Sequence, residues 1–307
     1  MYPAKFDYLA PETLDETLSI LSEQGDEVKI LAGGQSLIPM MKLRFARPST
    51  LLDINRLPGL DTLQRSNGHI SIGPLVRHND IVKSDLIKSE NALMASTAPW
   101  VADPIVRNLG TVCGSVAHHD PEGDWASVML ALGAEVVTLS KEGVGHYHPG
   151  ADGEQHTGGE RVIPIEQFLV DMFTTSLHPS EIVTEIRVPR HERGGGNYQK
   201  LERKIGDYAT VGVASHLELD LEGRISKAGL ALTSVYASNL KVTEAETLMV
   251  GEEPGDELFG QAAQIARNAC DPASDVRGSA DYKRHIVEVF TRRGLAESLA
   301  IASGGQE

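Results

Sequence analysis

Two short segments hold most of the residues suited to gripping a polar ligand. The first is Leu31-Ala32-Gly33-Gly34-Gln35-Ser36-Leu37, a strand end, two glycines, two polar residues and a helical turn. Glycine lets the backbone approach a ligand closely and take dihedrals closed to other residues. Successive amides at a helix start form a nest for phosphate or pyrophosphate. The plain alternative is a tight strand-to-helix turn. The chain carries neither the G-x-G-x-x-G dinucleotide fingerprint at this point nor a Walker A pattern anywhere. The second segment, Arg107 to Asp124, offers hydroxyls at Thr111 and Ser115, free amides expected at Gly114 and Ser115, and carboxylates at Asp120 and Asp124. Its plain reading is an irregular loop with an Asp-Pro turn, Asp124 capping the next helix.

Other reactive side chains are weaker candidates. His118-His119-Asp120 invites a metal, but adjacent residues rarely face one ion and no third ligand follows at regular spacing. A metal is therefore not expected there. His146, His148 and His156 sit in the glycine-rich stretch 141–160, which reads as a solvated loop or hairpin excursion. Cys113 has no identifiable base beside it and is expected to pack as a small residue rather than attack as a nucleophile.

The elements around these segments follow from periodicity and breakers. Leu14, Leu18 and Leu21 mark one face of a helix that starts near Pro11 and ends at Gly25. Val28 to Leu31 and Leu51 to Ile54 read as strands, with a helical turn over 37–43, making a small α/β unit over 1–56. His69 to Ile72 alternates like a strand, 78–98 reads as helical, and 102–123 reads as a loop. Trp125 to Leu132 is a strongly apolar helix leading into a strand at Glu135 to Leu139. From about residue 178, Ile182 to Val188, Tyr198 to Leu201, Thr210 to Leu219 and Ile225 to Leu232 read as consecutive antiparallel strands. Helices at 255–269 and 279–299 follow. Strands followed by helices predict an α+β architecture: domains over 1–177, with subdomains about 1–56 and 57–177, and over 178–307.

Composition narrows the function. The chain has 307 residues, room for about two domains. Its 43 acidic residues against 28 Lys and Arg give a net charge of −15, which repels a phosphate backbone, so nucleic-acid binding is not expected. No apolar run approaches the roughly 20 residues of a membrane-spanning helix, and the N-terminus lacks a signal-peptide core. A cytoplasmic location is the expectation. Two cysteines cannot ligate an iron–sulfur cluster that takes about four thiolates.

Together the two segments resemble those of the FAD-binding medium subunit of the molybdenum hydroxylases, the group containing aerobic carbon monoxide dehydrogenase and xanthine dehydrogenase. The resemblance runs nearly end to end. It rests on Phe6-Asp7-Tyr8 before Pro11, Ala32 to Leu37, Pro39-Met40-Met41-Lys42-Leu43-Arg44, Asp53-Ile54-Asn55, and Arg107-Asn108 with Thr111 to Ser115. It continues through Asp120-Pro121 with Asp124, Tyr198-Gln199-Lys200 with Asp207-Tyr208-Ala209, and Tyr282-Lys283-Arg284. The run from Pro39 to Arg44 looks closest to the carbon monoxide dehydrogenase branch.

The resemblance implies a fold: a two-subdomain FAD-binding domain of the vanillyl-alcohol-oxidase type, then a C-terminal α+β domain. It implies FAD, held by Ala32, Gly33, Gly34, Gln35, Ser36 and Leu37 on one side. On the other side it implies Asn108, Thr111, Val112, Cys113, Gly114, Ser115, Ala117, Asp120 and Asp124, with Asp124 holding a cofactor hydroxyl and Lys200 near the isoalloxazine. No protein acid–base residue is implied. The partners implied are an iron–sulfur small subunit and a molybdenum large subunit, as a dimer of heterotrimers, plus an external electron acceptor. The [2Fe–2S] clusters and molybdenum cofactor would sit on those partners, and the complex could lie at the inner face of the membrane. Two departures stand out: Cys113 where many members have glycine, and a longer 141–160 stretch. The competing readings are a stand-alone flavin oxidase of a small alcohol or sugar, and an adaptor without cofactor. Against the first, the chain has no histidine or cysteine signature for covalent flavin attachment; against the second, both loops are intact. A further expectation is that Gly34→Val would place its side chain against phosphate oxygens and at a dihedral closed to it, losing flavin with the fold retained.

Overall fold

The computed structural model of the chain describes residues 1–141, 159–191 and 193–304. Its first unit is a parallel three-stranded sheet in the order Asp7–Leu9, Thr50–Asp53, Val28–Leu31. Helix Leu14–Gln24 covers it. Thr13 caps that helix by accepting from the Glu16 amide, and Gly25 ends it at φ 50°. Leu18 and Leu21 pack on Val28, Leu52 and Ile54. Because Val28–Leu31 and Thr50–Asp53 are parallel neighbours, the segments after Leu31 and Asp53 leave the same sheet edge side by side. That edge, the carboxyl end of parallel strands, is where α/β sheets bind ligands.

The second unit is an antiparallel sheet in the order Leu63–Arg65, His69–Ile72, Glu181–Pro189, Glu135–Ser140, Gly159–Pro164. Helix Asp124–Leu132 is buried along its whole length and stops at Gly133, whose φ of 65° suits a left-handed cap. Two expectations are corrected here. The strand through Ile182 to Val188 does not join the later strands; it pairs between His69–Ile72 and Glu135–Ser140. Alternation marks a strand but carries no address for its partner. The stretch 102–123 is not a plain loop either, since it contains helices Pro104–Arg107 and Val112–His118. Asp103 caps the first, accepting from the Ile105 and Val106 amides at 2.8 and 2.9 Å, and Thr111 caps the second. Caps create these helices, which are too short to show an apolar period.

In the third unit, strands Gly194–Leu201, Val211–Leu219, Ile225–Thr233 and Leu240–Lys241 form an antiparallel sheet in chain order. Helices Asp256–Ala269 and Ala280–Ala302 share a core with one face of it. The other face packs on helix Asp124–Leu132, and Tyr198, Ala214 and Ala231 join the second unit's core. Gly229 lacks a side chain where the Ala131 carbonyl presses against it. This close seat is what carries Lys200 to Asp124. Of the expected excursion at 141–160, residues 142–158, with His146, His148 and His156, lie outside the described residues.

Candidate cofactor-binding site

A cleft of about 820 Å³ takes lining residues from all three units. That is the upper end of the roughly 300–1,000 Å³ usual for ligand sites. Ala32, Gly33, Gly34, Gln35, Ser36 and Leu37 line it from the first unit; Thr111, Cys113, Gly114, Ser115, Ala117, Asp120 and Asp124 line it from the second, and Lys200 from the third. Asn108 and Val112 are not brought to it. Asn108 accepts from the Asn79 side chain at 2.8 Å, and Val112 lies in the second core.

The first loop leaves its donors unused by the protein. Among the described residues, the amides of Gly34, Gln35 and Ser36 donate to no protein acceptor. Ser36 starts helix Leu37–Leu43 without a side-chain cap bond, so its hydroxyl is also uncommitted. The loop is held from behind. Asn55 Nδ2 donates to the Ala32 carbonyl at 2.8 Å and to Asp53 Oδ1 at 2.6 Å. Arg77 donates to Asn55 Oδ1 and to the Leu109 carbonyl, so one side chain ties the two loops together. Tyr8 steadies the far end through Asp53 Oδ2 at 2.6 Å. A Cβ on Gly33 would press on Leu109 O and come within 2.7 Å of Gly110 Cα. The loops therefore touch backbone to backbone. Gly34 has φ 70°, and a Cβ there would meet Ile38 and Leu31 side chains at 2.8 and 2.9 Å. The φ bears out the expected forbidden dihedral, and Gly34→Val would also collide with the protein itself.

The second loop differs. Its amides at Gly114 and Ser115, expected free, are engaged: Gly114 donates to Thr111 Oγ1 at 3.1 Å and Ser115 to Thr111 O at 3.0 Å. The capped helix absorbs them, leaving the exposed Gly114 backbone and the Ser115 hydroxyl facing the cleft. Cys113 is packed, its thiol against the Ile72 and Gly73 carbonyls at 3.4 and 3.5 Å, and burial pushes the thiol far above its ordinary value. Under the loop, buried His78 accepts from Trp125 Nε1 at 3.0 Å, and burial pulls its pKa down to about 4.

Asp124 and Lys200 are committed chiefly to each other. Lys200 Nζ lies 3.0 Å from Asp124 Oδ2 and donates also to the Trp100 carbonyl at 2.9 Å, while the Tyr198 hydroxyl donates to Asp124 Oδ1 at 2.8 Å. Burial pushes the Asp124 carboxyl above its ordinary value, and Lys200 pulls it back. Gly123, not Asp124, is the cap of the helix, so Asp124 is free to reach Lys200. Lys29 and Lys200 are the only lysines or arginines among the described residues lining the cleft. With Lys200 engaged, an anionic group there falls to the amides of the first loop. Both nitrogens of His119 meet protein partners, Thr174 O at 3.0 Å and Ser238 Oγ at 2.9 Å, which leaves that ring none for an ion.

Sequence reasoning missed Asn55 and Arg77 as struts, and His78 and Tyr208 as lining residues. Asp53-Ile54-Asn55 belonged to the resemblance but carried no role; Arg77-His78 gave no signal. Tyr208 stays a neutral phenol, pushed up to about 12 by burial and by Asp120.

Glycine turns that expose amides, a sheet edge behind them and a long cleft define a site for a phosphate-bearing cofactor. Comparison narrows it. The family described as the FAD binding domain in molybdopterin dehydrogenase matches residues 4–148, and the CO dehydrogenase flavoprotein C-terminal domain matches residues 196–298. The carbon monoxide dehydrogenase medium chain of Hydrogenophaga pseudoflava is 36% identical over 96% of this chain and 97% of the relative. The 6-hydroxypseudooxynicotine dehydrogenase complex subunit alpha of Paenarthrobacter nicotinovorans is 35% identical over 97% of this chain and 96% of the relative. A solved structure of carbon monoxide dehydrogenase from Hydrogenophaga pseudoflava, lacking the Mo-pyranopterin moiety of its cofactor, superposes with a TM-score of 0.88 at 36% identity, covering 98% of this chain and 99% of that one. The chain belongs to the family of FAD-binding medium subunits of molybdenum hydroxylases.

Proposed function

We propose that this chain binds one FAD non-covalently in the cleft and passes electrons from the [2Fe–2S] clusters of a small subunit to an external acceptor. The clusters would be filled from a molybdenum large subunit, in a carbon monoxide dehydrogenase-like complex built as a dimer of heterotrimers. The observation that carries the reading is the row of uncommitted amides at Gly34, Gln35 and Ser36 in a cleft of about 820 Å³ that Thr111, Gly114 and Ser115 also line. When bound, the isoalloxazine supplies the redox chemistry. The chain's residues bind and orient: 34–36 hold the pyrophosphate, Ser115 and the Gly114 backbone approach from the other side, and the Asp124–Lys200 pair fixes the wall near the ring. Cytoplasmic residence is part of the proposal, as is a domain boundary in the link after Pro189 rather than at 178.

Relatives of near-equal identity are named for carbon monoxide and for 6-hydroxypseudooxynicotine. One medium-subunit design serving such different substrates supports substrate chemistry on another chain. Next to the cleft-lining Val106 and Gly206, Ile105 is 75% exposed and Ile205 is 96% exposed. A Cβ on Gly206, next to Ile205, would come within 3.2 Å of Ala102 O, so the two exposed isoleucines stand on neighbouring segments, a place suited to a partner. An obligate contact there would bury on the order of 2,000 Å² or more.

The test is to purify the chain alone and again with the proteins encoded beside it. Alone it should release FAD with acid, reduce dyes weakly, and fail to oxidise carbon monoxide, aldehydes or purines. Turnover of such a substrate by the single chain, free of molybdenum and iron, would refute the subunit reading and favour a stand-alone oxidase.

A further inference from the structure

Away from the cleft, one group of side chains has no role in flavin binding. Among the described residues, His191, His216 and Glu218 are the one set of three whose ligand atoms lie within 4.8 Å of one another. None of them lines the cleft. His216 and Glu218 stand two apart on strand Val211–Leu219 and so share a face. His191 comes from the link between Pro189 and Gly194.

The geometry is that of a partly assembled site. His191 Nδ1 lies 2.7 Å from Glu218 Oε1, and His216 Nε2 lies 3.7 Å from the same oxygen, too far for a hydrogen bond. The two rings are 4.5 Å apart between centroids. Their side chains are only 6% and 5% exposed. Nε2 of each ring is buried with no hydrogen-bond partner. Buried polar atoms are nearly always satisfied, so two unpaired nitrogens in touching rings point to a missing partner. Gly194 makes the room: a Cβ there would lie 2.8 Å from His191 Cβ and 2.9 Å from His216 Cε1.

We propose that His191, His216 and Glu218 bind one divalent transition-metal ion, best matched by Zn²⁺, clipping His191 onto the third unit's sheet. Two imidazoles and one carboxylate are a zinc donor set, with water in the fourth position. Bonds of about 2.0–2.2 Å require ligand atoms that now lie within 4.8 Å of one another to draw closer around the ion. His191 stays a neutral imidazole, its one ring proton on the nitrogen that does not bind the ion. Lys227 Nζ, 3.6 Å from Glu218 Oε1, is the competing cation; its side chain is 44% exposed and can swing into water. The clip would brace the chain where it crosses from the second sheet to the third.

The experiment uses the full flavin-loaded chain, mixed with equimolar ZnCl₂ and desalted. One zinc per chain should stay bound, and zinc should raise Tm, because a ligand of the native state stabilises it. Co²⁺ in its place should give visible ligand-field bands. His216→Ala and Glu218→Gln should weaken retention on the order of 100-fold, at or beyond the range seen for support residues of metal sites, with flavin content unchanged. His285→Ala, at an exposed position, should bind as the parent does. Glu218→Gln keeps the side-chain shape, so it serves if His216→Ala folds poorly. Zinc lost from the parent on desalting, or retained equally by both ligand variants, would overturn the proposal.

Discussion

The two glycine loops of the cleft look alike in sequence and are built in opposite ways. The first, at 32–36, is a turn whose amides at Gly34, Gln35 and Ser36 meet no protein acceptor and whose carbonyl at Ala32 is held by Asn55. The second, at 111–115, folds its amides into a capped helix and presents a hydroxyl and an exposed glycine backbone instead. What stands behind them also differs. Hydrogen bonds from Asn55 and Arg77 brace the first, whereas a buried ion pair and a buried histidine lie behind the second. Glycine content alone does not separate a nest of donors from a place of close approach. The position of the cap decides it: Thr111 captures the Gly114 amide, while Ser36 captures none.

If this contrast is right, charge substitutions should strike the second loop hardest. Lys200→Met leaves the Asp124 carboxylate buried without its partner. Removing one side of a buried pair costs about 3–5 kcal/mol. Burial already raises the Asp124 pKa, so the variant should soften the loss by taking up a proton. A carboxyl with a raised native pKa adds stability at low pH and loses it as pH rises through that value. Urea unfolding should therefore show a larger deficit at about pH 8 than at about pH 5. A deficit below about 1 kcal/mol at neutral pH would mean the pair is not the prop described here.

The next effect is acid sensitivity centred on His78. Its native pKa of about 4 lies below the ordinary value of about 6.5 because of burial first, with Arg107 and Arg77 adding to it. The unfolded chain binds a proton that the native chain refuses, so this contribution is intact above about pH 6.5 and is lost as pH falls toward 4. Between pH 7 and 5 the parent should lose about 2 kcal/mol more than His78→Asn. The backbone amide of His78 donates to Gly110 O, so the disturbance should reach the second loop before the first. Identical pH dependence in parent and variant would remove His78 from this account.

Much of this arrangement is legible in the sequence alone. The apolar helix after Asp124, the later antiparallel strands and both loops stand out because each is a local pattern of period, breaker or glycine. The misplaced pieces depend on distant partners. Strand Glu181–Pro189 reads correctly as a strand, yet its neighbours lie some 40 and more than 100 residues away, and alternation cannot name them. Asp124 and Lys200, read as cofactor contacts, do line the cleft, but their mutual pairing across 76 residues had no local signal. Arg77 reaches Asn55 and Leu109 across 22 and 32. The Gly114 amide is the instructive error: Thr111 is three residues before it and is a good cap, so the signal was local and was outweighed by the glycine beside it.

The smallest effect is the sharpest test of the contrast, because it compares two hydroxyls at two helix starts. Thr111 Oγ1 accepts from the Gly114 amide at 3.1 Å, whereas Ser36 Oγ serves no cap. Thr111→Ala should therefore lower the stability of the flavin-free chain by about 1 kcal/mol, the usual worth of an N-cap. Ser36→Ala should leave that stability within about 0.5 kcal/mol of the parent. Flavin binding should reverse the order. If the Ser36 hydroxyl is free to meet the phosphates, its loss removes a bond to a charged group, worth about 1.5–3 kcal/mol, and weakens FAD retention roughly tenfold or more. Thr111 already holds its amide, so its change should act on retention only through the loosened helix. Thermal melts of the flavin-free proteins and equilibrium release of FAD read the two effects separately. Should Ser36→Ala destabilise the empty chain as much as Thr111→Ala, the first loop would be a capped turn like the second, and its amides would not be the phosphate donors.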